Sequence, residues 1–143
     1  MENQAVAYVD GSCCPTNPGP GGWAFIYLDG QREWHVSGGE TTSTNNKMEL
    51  TAAIEALEFV PKEKKLTIYS DSIYVIKGIT EWIGNWKKKG WAKVKNREYW
   101  ERLDGLCEGR SVEWRWVKAH NGDVYNEKVD KLARSWAKRM SRL

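Results

Sequence analysis

The chain has 143 residues, 41% of them hydrophobic and 29% charged, with 13 Gly and 4 Pro, a profile that excludes disordered and fibrous classes and suits one domain. Three cysteines, two of them adjacent (Cys13, Cys14), and only two histidines exclude a disulfide scaffold and a thiolate–imidazole zinc site. No apolar run approaches the roughly 20 residues that span a bilayer, and the start Met1-Glu-Asn-Gln lacks the regions of a secretion signal, so a cytoplasmic protein without membrane contact is expected.

Gln4–Asp10 reads as a strand of β-branched and aromatic residues running into a Gly/Pro-rich turn over 11–22. Trp23–Leu28 and Arg32–Ser37 read as two more strands around an Asp29-Gly30 hairpin turn, which makes the first three strands an antiparallel meander. From Lys47 to Val60 the apolar spacing becomes helical through Met48, Leu50, Ala53, Ile54 and Leu57, until Pro61 stops it. Leu66–Ser70 is a short apolar strand. Ser72–Lys89 reads as two short helices broken near Gly78, and Arg97–Cys107 as an amphipathic helix ended by Gly109. Val112–Lys118 is a strand and Asn126–Met140 a final helix. The order βββ-α-β-α-α-α-β-α predicts an α/β fold, a mixed sheet flanked by helices, as a single domain over 1–143.

Net charge is +3, yet residues 1–60 carry −6 and residues 61–143 carry +9. Such a chain has room for an acidic site beside a surface for a polyanion. Four carboxylates are candidates for that site, each with a plainer alternative. Asp10, on the face of Val6 and Tyr8, is either a turn residue before Gly11 or a carboxylate at the lip of the core. Glu49 either closes a capping box with Asn46 as N-cap or points along the sheet at the head of the stripe Ala52, Ala53, Ala56, Val60. Asp71 is an N-cap or a carboxylate at the carboxyl end of a central strand, where α/β sheets place their chemistry. Asp130 lies on a small-residue face with Ala133 and Ala137 and is paired by Lys131 or Arg134 or bound to a metal. Together they offer oxygen ligands of the kind that Mg²⁺ or Mn²⁺ prefers, and two such ions serve in-line phosphoryl displacement.

The segment 86–97 holds six bases and no acid, with Trp86 and Trp91 interleaved. It reads as a nucleic-acid contact or as a solvated loop; Trp82, Trp86 and Trp100 have core spacing.

Several ordered stretches resemble one family, bacterial-type ribonuclease HI. They are Tyr8-Val-Asp-Gly-Ser12, Asn17-Pro-Gly-Pro-Gly-Gly22, Thr44-Asn-Asn-Lys-Met-Glu-Leu50, Tyr69-Ser-Asp-Ser72, Trp82-Ile-Gly-Asn-Trp-Lys-Lys-Lys-Gly-Trp91, Val117-Lys-Ala-His120 and Asn126-Glu-Lys-Val-Asp-Lys-Leu-Ala133. The resemblance implies a five-stranded mixed sheet and an endonuclease that hydrolyses the RNA strand of RNA–DNA hybrids, leaving 5′-phosphate and 3′-hydroxyl ends. It implies a site of Asp10, Glu49, Asp71 and Asp130 for two Mg²⁺ ions, with Mn²⁺ as substitute. In the family, the Asp10 position bridges both ions, the Asp130 position helps hold the ion that activates water, and the Glu49 and Asp71 positions hold the ion facing the leaving oxygen. His120 matches a mobile histidine credited with proton handling or product release. Gly11, Asn17, Asn45, Asn46 and Glu49 match positions that read RNA near the 2′-hydroxyl. Thr44 matches a DNA-phosphate contact, and Trp86 and Lys87, Lys88 and Lys89 fall in the family's basic protrusion.

The chain departs from the family at Ile73, where close relatives carry Gln, at Val129 for Ala and at Ala119 for Gly, and residues 91–96 imply a trimmed protrusion. With Asp10 so early, no N-terminal hybrid-binding domain is expected, and a monomer is the expectation. The rivals are a non-catalytic hybrid- or dsRNA-binding module of the same fold and a nuclease for branched DNA.

Overall fold

The computed structural model describes residues 4–143. Chain order is β1 (Gln4–Cys13), β2 (Gly19–Asp29), β3 (Arg32–Ser43), α1 (Asn45–Phe59), β4 (Lys65–Ser70), α2 (Ile73–Lys77), a π turn (Gly78–Trp82), α3 (Ile83–Lys88), α4 (Arg97–Cys107), β5 (Val112–Trp116) and α5 (Val124–Met140). The strands form one sheet in the order β3-β2-β1-β4-β5. The β1–β2 and β2–β3 pairs are antiparallel, β1–β4 and β4–β5 parallel, so the expected meander is joined to a parallel half by crossover helices.

Alternation along β1 assigns the two faces. Ala5, Ala7 and Val9 are buried beneath α1, whose small residues Ala52, Ala53 and Ala56 let it lie close, and Trp100 and Leu103 of α4 complete that core. On the other face, Ala24 and Ile26 of β2 pack with Val129 and Ala133 of α5, and Tyr8 joins them. Asp10 pairs with Ala24 and Tyr8 with Ile26, which puts Asp10 on the α5 side, the face shared with Tyr8 that the alternation predicts.

Three expectations need correction. Residues 11–13 and 19–22 are strand rather than turn, and only 14–18 form the connection. The glycines there serve close packing: a Cβ on Gly22 would sit 1.9 Å from the Ala133 carbonyl oxygen, so α5 rests directly on β2. Gly78 does not break the helix. The chain continues through a π turn, with the Trp100 ring so near that a Cβ on Gly78 would lie 2.1 Å from it. Of the three tryptophans with core spacing, Trp100 is fully buried and donates Nε1–H to the Tyr74 hydroxyl at 3.0 Å, whereas Trp86 is half-buried and Trp82 is exposed. The three cysteines are free thiols, and no described helix is long and apolar enough to cross a membrane.

Candidate active site

The parallel β1–β4 ladder ends at Val9 opposite Ser70, so the next residues, Asp10 and Asp71, emerge side by side at the carboxyl end of β4. β1 continues past Asp10 in its ladder with β2, which makes Asp10 a strand residue, buried, rather than a turn residue. Asp71 caps nothing. Ser72 is the N-cap of α2, its hydroxyl accepting from the Val75 N–H at 3.1 Å.

Glu49 comes from the first turns of α1 and does not close a capping box. The N-cap is Thr44, two residues earlier than expected, and its Oγ1 accepts from the Lys47 N–H at 3.1 Å. The Glu49 carboxylate instead accepts the Gly11 N–H at 2.9 Å, tying α1 to β1. Gly11 makes this approach feasible, because a Cβ there would lie 2.1 Å from the Met48 carbonyl carbon. Gly11 therefore has a packing role that its motif match does not reveal.

Ligand-type oxygens of Asp10, Glu49 and Asp71 all lie within 4.8 Å of one another. Burial and the neighbouring Glu49 and Asp71 charges raise the Asp10 carboxyl well above its usual range. Burial, then the Asp71 charge, lifts Glu49 to about 8 even though hydrogen bonds from Asp10 and the Gly11 N–H favour its charged form. Asp71 is also raised by burial, against hydrogen bonds from Asp10 and Asn126 and the charge of His120. Carboxylates this close repel unless a proton or a cation compensates them, and an all-oxygen donor set is what Mg²⁺ or Mn²⁺ favours. The residues present therefore fit a divalent metal.

Asp130 stands outside that close cluster. It is half-buried and its Oδ2 lies 3.0 Å from Arg134 Nη2, the expected partner one helical turn on, yet its charge reaches all three carboxyls. His120 lies on the exposed β5–α5 loop with φ of 55° and lines, with Asp130, Lys128, Lys131 and Arg134, a cleft of about 320 Å³. The residue that sequence reasoning missed is Asn126. It is buried in the first turn of α5, where its side chain favours the charged form of Asp71 and its Oδ1 is left without a partner. Its only signal is its place, four residues before Asp130 on the same helix face.

Around this core, Asn45 Oδ1 accepts the Cys13 N–H at 2.7 Å, and Asn17 Oδ1 accepts the Asn45 N–H at 3.0 Å. Both amides thus use their oxygens internally and keep NH₂ donors to offer. Asn46 follows in the first turn of α1, half-buried. In the basic segment, Lys87 is paired with Asp104 at 3.2 Å, whereas Lys88 and Lys89 are exposed, and Trp86 leans on Trp100 with ring centroids 5.1 Å apart.

Comparison with known proteins gives consistent findings. The RNase H family pattern matches residues 2–138. The chain is 54% identical over 139 residues to a protein named ribonuclease H from Neorickettsia sennetsu, covering 92% of this chain and 91% of that one. It is 52% identical to the one from Xanthomonas campestris pv. campestris, covering 91% and 89%. Among solved structures, LC9-RNase H1, described as a type 1 RNase H with the type 2 active-site motif, superposes with a TM-score of 0.88 at 26% identity, covering 99% of this chain and 75% of that one. LC11-RNase H1, solved in complex with an RNA/DNA hybrid, shares the fold with a TM-score of 0.72 at 20% identity, over 95% and 98%.

Proposed function

The chain belongs to the RNase H family and is a ribonuclease, and on that premise we propose that it cuts the RNA strand of RNA–DNA hybrids internally, as a single catalytic domain in the cytoplasm. The observation that carries the reading is the convergence of three carboxylates from β1, α1 and the end of β4 within 4.8 Å at the carboxyl end of the parallel strands. A fold relative captured with an RNA/DNA hybrid supports the choice of substrate, and three unpaired thiols suit a reducing compartment.

Asp10, Glu49, Asp71 and Asp130 would hold the divalent ions, Mg²⁺ or Mn²⁺. When bound, a pair of such ions neutralises charge at the attacking and leaving oxygens of an in-line phosphoryl displacement. The remaining work belongs to the chain. The Gly11 N–H fixes Glu49, Asn126 orients Asp71, and Arg134 holds Asp130, so the carboxylates are set before substrate arrives. His120, exposed beside Asp130, is positioned to take or deliver a proton as the 3′-oxygen leaves, which yields 5′-phosphate and 3′-hydroxyl ends. Asn17, Asn45 and Asn46, with Gly11, form the surface that reads the RNA sugar, where free amide donors suit a 2′-hydroxyl acceptor. Thr44, at the exposed N-terminus of α1, receives a DNA phosphate, and Trp86 with Lys87, Lys88 and Lys89 grips the DNA strand.

The test is cleavage of a labelled RNA–DNA hybrid with and without Mg²⁺ by wild type and Asp10→Asn, with single-stranded RNA and duplex DNA as controls. Hybrid-only, metal-dependent cutting that disappears in the variant is expected. Tight binding without cutting in either Mg²⁺ or Mn²⁺ would overturn the proposal in favour of a binding module.

A further inference from the structure

Helix α5 carries a second basic surface, distinct from residues 86–97. From Val124 to Leu143 the chain holds six bases, Lys128 among them, against two acids, Glu127 and Asp130. Asn126, Val129, Ala133 and Ala137 bury one side of the helix against the sheet. At 100° per residue, Lys131, Lys138 and Arg142, the last in the turn that follows the helix, fall within about 40° of one another on the opposite side. All three are exposed, and none has an ion-pair partner among the described residues, in contrast to Arg134. From Lys131 to Arg142 the rise is about 16 Å, the length of roughly five nucleotides of a duplex strand.

Both ends of this arc open into concave surface. At the near end, Lys128, Lys131 and Arg134 share the cleft of His120 and Asp130. At the far end, Lys138, Arg139 and Arg142 line a second cleft, of about 310 Å³, against Trp136. That indole is held by an Nε1–H donated to Ser37 Oγ at 2.8 Å and lies under the Arg139 guanidinium at 4.6 Å. Glu127 lies on this face one turn before Lys131, but from Lys131 to Leu143 the chain carries no acid, whereas a face built only for solubility intersperses both signs.

We infer that the basic face of α5 is a phosphate track that holds the RNA strand where it runs beyond the scissile bond on the His120 side. The inference rests on the ribonuclease reading for the identity of that strand. Trp86 and Trp91 of the other basic segment pack on the α1 side of the sheet, whereas α5 covers the opposite side, so one strand cannot follow both surfaces. The strand whose phosphate reaches the carboxylates at the carboxyl end of the parallel strands leaves across the cleft that Asp130 shares with Lys131.

The test uses the full chain and a double variant, Lys138→Gln/Arg142→Gln, neither of them a residue of the site. An 8-base-pair hybrid is compared with the same hybrid bearing a 20-nucleotide single-stranded RNA extension, or a DNA extension, at either end. On the short hybrid, kcat and KM should be the same for both proteins. The RNA extension at one end should lower the wild-type KM about 10-fold at 50 mM salt, and the variant should lose that gain. The slope of log affinity against log salt should drop by about 1.4, two contacts at roughly 0.7 each for a single strand. An equal gain in both proteins, or a gain confined to DNA extensions, overturns the inference. So does competition by poly-glutamate without any effect on the RNA extension, which would mark the face as a dock for acidic protein segments. Anisotropy in EDTA reads the same comparison without cleavage. A wild type that binds the RNA extension through these bases but cuts no hybrid would sink the ribonuclease reading and leave the track standing.

Discussion

Removing the negative charge of Glu49 should stabilise the metal-free protein at alkaline pH. Burial and the Asp71 charge raise its carboxyl from 4.5 to about 8 in the folded chain, whereas in the unfolded chain it titrates near its ordinary value. Between those limits the folded state binds the extra proton, so stability present below pH 4.5 is lost as pH rises toward 8. Each pH unit between the folded and unfolded values is worth about 1.4 kcal/mol, which sets an upper bound of about 5 kcal/mol. Because Asp10 lies against Glu49 and is raised with it, a working figure is about 3 kcal/mol. Glu49→Gln removes the charge and keeps an oxygen to accept the Gly11 N–H. Urea unfolding in EDTA at pH 5, 7 and 9 measures the effect. With an m-value of about 2 kcal/mol/M, the wild-type midpoint should fall by about 1.5 M from pH 5 to 9, while the variant stays nearly level and unfolds later at pH 9. Excess Mg²⁺ should restore the wild type and leave the variant largely unmoved. Equal midpoints for the two proteins at pH 9 in EDTA would refute the mutual destabilisation of these carboxyls.

Gly11→Ala would force the first turn of α1 away from β1, since its Cβ meets the Met48 backbone at 2.1 Å; urea titration should show a stability loss of about 2–3 kcal/mol, and hybrid cleavage should slow by about two orders of magnitude. Asn126→Ala removes the side chain that favours the charged form of Asp71; the acid limb of the pH–rate profile should move to higher pH, with activity down about 10-fold at neutral pH, and an unmoved limb would refute the coupling. Lys88→Gln/Lys89→Gln should weaken hybrid binding and flatten its salt slope by about 2, at roughly 0.9 per duplex phosphate contact, with turnover at saturating substrate unchanged.

Much of the fold is legible in the sequence because its signals are local. The alternation of Gln4–Asp10, the helical spacing of Met48 to Leu57 and the Asp29-Gly30 turn each report on neighbours a few residues away. The differences have a common cause. Glycines 11, 21 and 22 read as turn formers because glycine is ambiguous in sequence, whereas here a helix from far along the chain presses on the strand backbone. Thr44, Asn45 and Asn46 all suit an N-cap, and the role falls to Thr44 because Asn45 is engaged by Cys13 across the chain. Beyond its spacing to Asp130, Asn126 gives no local sign of its role because Asp71, whose charge it favours, is 55 positions away.

By itself the sequence determined the element order, the separation of an acidic half from a basic half, and the supply of four carboxylates with no soft metal ligands beside them. Each of these follows from residue type and short-range spacing. Only the tertiary structure decided which carboxylates meet. Asp10 and Asp71 are brought together by the parallel pairing of two strands about sixty residues apart, Glu49 by a helix that a glycine allows to touch the strand, and Asp130 is held to one side by Arg134. Coulomb repulsion and desolvation act over a few ångströms of space, a distance that separation along a chain does not encode.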